Sequence, residues 1–151
     1  MSVLVALHTL AAVVWVGGMF FAYLVLRPAA AGLLDVPMRV MLWRYTFRRF
    51  FPWVWTAVIA LPATGYGIIF TELGGMASAG WHIHVMQMLG IAMILLFLHL
   101  FFAPYRRLIK AVDDGYFETA SRSLNQIRVI IGINLGLGLA VIVIATAGRY
   151  L

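Results

Sequence analysis

Between Trp81 and Ala103 the chain reads WHIHVMQMLGIAMILLFLHLFFA, and Pro104 follows. This run contains no Asp, Glu, Lys or Arg. It has the length that a helix needs to cross ~30 Å of hydrocarbon, which takes ~20 residues. Three further runs share its character, at about residues 3–26, 50–70 and 129–148. Helices are the expected spanning form, because each satisfies its own backbone hydrogen bonds inside lipid. The first run has no basic residue before it and Arg27 after it, so it reads as a retained span, not a signal peptide. The sequence therefore predicts an all-α integral membrane protein. Its four helices form a single up-down-up-down bundle over residues 1–151.

Composition agrees. The 151 residues are 64% hydrophobic and 11% charged. A soluble domain is nearer half apolar and a quarter charged, and a chain this short has too little interior to hide the excess. A soluble enzyme is excluded. There is no cysteine, which removes thiolate metal sites, disulfides and iron–sulfur clusters. Any metal must be held by His, Met, carboxylate or backbone.

The charges report topology and not nucleic acid. Ten of the eleven basic residues fall in two connections, 27–49 and 104–128, and Arg149 stands near the C-terminus. The positive-inside rule puts both connections in the cytoplasm and both termini outside, across the inner membrane of a bacterium. The basic residues read as lipid-headgroup contacts. Asp113-Asp114-Gly115 marks a turn, and 118–126 reads as a short helix before span four. Trp43, Trp53, Trp81, Tyr105 and Tyr150 fall near the expected interfaces.

An ionisable group inside a membrane is a functional candidate by default. His8, His82, His84 and His99 are the four histidines. At 1.5 Å rise per residue, His8 lies about six residues outward of the middle of span one, and His84 about eight residues outward of the middle of span three. Those depths nearly match. At 100° per residue, Met88, Ile91, Leu95 and His99 fall within about 60° of His84, whereas His82 points about 200° away. The expectation is that His84 faces the bundle centre and His82 the rim. His99 is expected to bond Asn134 of span four.

Two imidazoles at equal depth on diagonal helices suit haem b, one axial ligand from each side. Small residues in the outer halves (Ala11, Ala12, Thr64, Gly65, Gly67, Ala140, Ala145, Ala147) would make room for the macrocycle. Arg149 would pair with a propionate. Gly132 and Gly136 read instead as a helix-packing pair. Electron transfer or redox chemistry with a small molecule or quinone follows from this reading, as a membrane haem oxidoreductase. Copper is the physical rival. Met76, Met86 and Met88 lie near His82 and His84, and thioether with imidazole suits Cu(I).

The first span, Leu7-His8-Thr9-Leu10-Ala11-Ala12-Val13-Val14-Trp15-Val16-Gly17-Gly18-Met19-Phe20-Phe21, carries an LHxxAxxxWxGGxFF pattern. It resembles the copper resistance protein D (CopD) family. More distantly it resembles the HemJ-type protoporphyrinogen oxidases, whose first-span His is linked to haem b. The resemblance implies a role for His8 and for His82 or His84. It also implies copper uptake or tolerance, with a periplasmic redox or copper partner. The HemJ pattern expects a lysine after the span-three histidine, where this chain has Val85, Met86 and Gln87. Ala12, Trp15 and Gly65 join His8, His82, His84 and Arg149 as candidate cofactor-binding residues, with His82, Met86 and Met88 the copper alternative. A homo-oligomer is compatible with all of these readings.

Overall fold

A computed structural model describes residues 2–151. Six α-helices follow one another: α1 (Ser2–Phe20), α2 (Arg27–Leu33), α3 (Val36–Glu72), α4 (Trp81–Phe102), α5 (Pro104–Asp113) and α6 (Phe117–Ala147). No strand occurs among the described residues. The four long apolar helical stretches cover 3–33, 36–72, 81–113 and 117–150. The protein is an all-α four-helix membrane bundle.

Prolines and turn residues set the breaks. Pro28 has no N–H to offer the carbonyl one turn back. The helix widens to a π-helical segment over Phe21–Leu26 just before it. Asp35 caps α3 by accepting from the backbone N–H of Met38 at 3.3 Å. Ala103 leaves helical geometry at φ −117°, ψ −87°, and Pro104 then starts α5. Gly115 takes φ +78°, where a Cβ would be strained, and turns the chain into α6.

The basic connections are not loops. α3 has 37 residues, about 55 Å at 1.5 Å per residue, so it outruns the hydrocarbon. Its first fourteen residues carry Arg39, Arg44, Arg48 and Arg49. The helix expected at 118–126 is the beginning of α6, continuous with span four. α5 is strongly two-faced: Tyr105, Leu108 and Ala111 are buried, while Arg106, Arg107 and Lys110 are exposed. Arg44 pairs with Asp113 at 2.9 Å, and Arg107 donates to Gln126 at 2.7 Å. These contacts tie the basic end together.

α1 packs along α3, and α4 along α6, while α5 lies on α6. The α1 and α4 backbones barely approach, as the diagonal arrangement expects, and α3 and α4 meet through long side chains and not through close backbones. The core is uneven. Phe47, Phe51, Phe97, Phe101 and Tyr105 stack edge and face toward the basic end, with Trp55 against Phe97 and Phe101. Trp43, expected at an interface, is buried against Phe47 in this cluster. Toward the end that carries both termini no such cluster fills the space between α3 and α4.

Candidate functional site

A cavity of about 270 Å³ occupies that space. α1 contributes His8, Ala12 and Trp15. α3 contributes Pro62, Gly65 and Tyr66, and α4 contributes Met86, Gln87, Gly90 and Met93. Its walls are mostly apolar. Glycines keep it open and let the helices approach: a Cβ on Gly65 would stand 3.2 Å from Cε1 of His8, and one on Gly138 would meet Val16 at 2.8 Å. Trp15, only 3% exposed, forms the floor and meets Phe97 edge-on.

His8 is held by α3. Its Nδ1 lies 2.8 Å from the Thr64 hydroxyl. That hydroxyl donates its single proton to the Ala60 carbonyl at 2.6 Å. The Thr64 oxygen is therefore the acceptor and His8 Nδ1 the donor. This assignment leaves Nε2 with a bare lone pair on a residue that lines the cavity. A ring whose second nitrogen is tied in this way is the usual form of a metal-ligating histidine.

Two methionines, Met86 and Met93, share the cavity wall with His8. Met93 is buried, and its backbone carbonyl accepts from the Asn134 amide at 3.1 Å. Asn134 thus binds Met93 and not His99, contrary to the sequence expectation. Gln87 donates to the Tyr66 hydroxyl, bridging α3 and α4 across the cavity. Among the described residues, no cluster of three or more His, Asp or Glu is placed to hold a metal. The cavity wall offers one imidazole and two thioethers.

The remaining sequence candidates lie elsewhere. His84 is exposed, together with Met88, Ile91, Leu95 and His99, so the stripe expected to face the bundle centre faces outward. Met88 is 71% exposed. The physical reason is that α4 is apolar on every side, so the inward face is chosen by packing: α4 lies along α6, Met93, Phe97 and Leu100 are buried, and Phe97 meets Trp15 and Phe51. His82 is half-buried. It packs against Gly148, whose added Cβ would stand 3.0 Å from the His82 Cβ, and it is absent from the cavity wall. Arg149 is exposed and donates to the Tyr150 hydroxyl at 2.6 Å, also outside the cavity. Ala140, Ala145 and Ala147 are exposed and make no room inside. Of the expected packing pair, Gly132 sits against Tyr23, whereas Gly136 has no neighbour within reach of a Cβ.

The structure thus brings together His8, Ala12, Trp15, Gly65 and Met86. Sequence reasoning treated Thr64 as a small residue and missed its hydroxyl as the partner of His8. Met93 was not among the methionines that the sequence singled out. The signal for Thr64 was its place beside Gly65, at the depth of His8.

Residues 44–147 match the family model of copper resistance protein D. No curated protein and no solved structure matches the chain. The match runs from within α3 to the end of α6 and leaves out the first span, so it stands independently of the His8-containing pattern. It covers well over half of the residues, and the chain belongs to the copper resistance protein D family.

Proposed function

We propose that this protein handles copper within the membrane, taking Cu(I) as cargo into the cavity between α3 and α4. His8 is the nitrogen donor through Nε2, and Met86 and Met93 are the sulfur donors. The observation that carries this reading is the Thr64 oxygen fixing His8 Nδ1 as the donor while His8 lines a cavity shared with two thioethers. Soft thioethers with imidazole favour Cu(I) over harder divalent ions. Family membership supports the same cargo. The charge split supports a cavity that opens on the periplasmic side of the bacterial inner membrane, where it would meet a soluble copper partner.

The residues present do not fit a haem b held by two imidazoles. His84 is exposed, His82 is outside the cavity, and His8 is the one histidine lining it. A redox step with a quinone has no second imidazole to rest on. The start of α4 also carries no lysine, the residue that the porphyrinogen-oxidising pattern places there. The test is titration of the detergent-purified protein with Cu(I) against a competing chelator, with an absorption spectrum of the same sample. One equivalent of copper bound by the wild type and lost in His8→Ala supports the proposal. A Soret band in the purified protein, or copper binding unchanged in His8→Ala, overturns it.

A further inference from the structure

A second cavity lies at the opposite, basic end of the bundle. It holds about 80 Å³. Roughly 10–15 Å³ accommodates one water, so this is room for several heavy atoms, the scale of a tetrahedral oxyanion. Three arginines from three helices line it: Arg27 from α2, Arg39 from α3 and Arg128 from α6. Ser121 and Asn125 add neutral hydrogen-bonding groups, and no Asp or Glu is among its lining residues.

Two of the three arginines are held in place by their neighbours. Arg39 donates from one terminal nitrogen to the Leu34 carbonyl at 3.1 Å, which fixes the guanidinium. Its Nε is buried and has no hydrogen-bond partner among the described residues. Arg27 lies over the Tyr23 ring at 4.4 Å. Elsewhere at the same end, Arg44 has Asp113 and Arg107 has Gln126. Three guanidinium side chains that line one cavity with no carboxylate among its lining residues repel one another, and a buried N–H without a partner is costly. An anion with several acceptor oxygens removes both penalties, and Arg is the side chain suited to phosphate.

We infer that this cavity binds a phosphate-class oxyanion, supplied by the headgroup of an anionic phospholipid. Position selects the lipid source. The cavity sits where the first apolar run gives way to Arg27, at the hydrocarbon–headgroup boundary, and anionic headgroups attract basic residues there.

The experiment uses the full chain in lipid nanodiscs of phosphatidylcholine, with and without phosphatidylglycerol. Native mass spectrometry and thermal unfolding are the readouts. Retained phosphatidylglycerol and a midpoint raised by several degrees are expected in the wild type. In Arg39→Gln/Arg128→Gln, retention should fall at least fivefold. Arg128→Gln alone, on an exposed residue, guards against misfolding of the double variant and should show a smaller loss. Arg122→Gln, outside the cavity, should behave as wild type. Inorganic phosphate added to phosphatidylcholine discs separates the sources. A saturable shift there, lost in the same variants, keeps the oxyanion site and makes free phosphate the occupant. Equal retention in the double variant and the wild type overturns the site, as does the absence of any response to either probe.

Discussion

His8 shows how one hydroxyl can decide the chemistry of a ring within a membrane span. Thr64 gives its proton to a carbonyl of its own helix, so its oxygen accepts from His8 Nδ1 and Nε2 keeps its lone pair. Thr64→Val keeps the shape and removes the acceptor. Partners of this kind contribute roughly 10–100-fold to metal affinity. Cu(I) affinity of Thr64→Val, measured by chelator competition, should fall within that range while helix content stays unchanged. An affinity equal to wild type would show that the ring needs no orienting partner. His8 itself was legible in the sequence, as the single histidine inside the first apolar run. The rotation of its expected counterpart was not. A histidine at a given depth on α4 can face any direction when Ile, Leu, Met and Phe surround it, and His84 faces outward.

At the scale of elements, the spans were readable from length and hydropathy, because the membrane imposes both. The connections were not, because charged residues signal exposure to water without saying whether the backbone is helical. α5 is the instructive case. Arg106, Arg107 and Lys110 made 104–113 look like a loop, yet Tyr105, Leu108 and Ala111 recur at helical spacing and are buried. Leu108 is fully buried. Leu108→Ala should cost about 2–5 kcal/mol, as buried leucines do, and lower the thermal midpoint in detergent. Asp113→Asn breaks a partly exposed ion pair with Arg44 and should cost no more than ~1 kcal/mol. Equal effects would mean that α5 is held by charge and not by its apolar face.

For the molecule as a whole, the aromatic cluster closes the basic end and leaves the termini end open between α3 and α4. The fold class was visible in the sequence, and so were Ala12 and Gly65 as small residues at the depth of His8. The parts of Thr64, Met93 and Gln87 were not, since only the packing of helices distant in the chain brings Thr64 to His8 and the other two to its cavity. The charge split predicts that a reporter active only outside the cytoplasm works when fused after Leu151, and that one inserted at Gly115 stays silent. The reverse pattern would invert the bundle and put the cavity on the cytoplasmic side. Copper K-edge X-ray absorption of the Cu(I)-loaded protein tests most directly whether copper sits in this cavity on His8 and the thioethers. Mixed nitrogen and sulfur scattering is predicted, with nitrogen lost in His8→Ala and sulfur reduced in Met86→Leu. A spectrum without sulfur, or one that His8→Ala leaves unchanged, would contradict that placement.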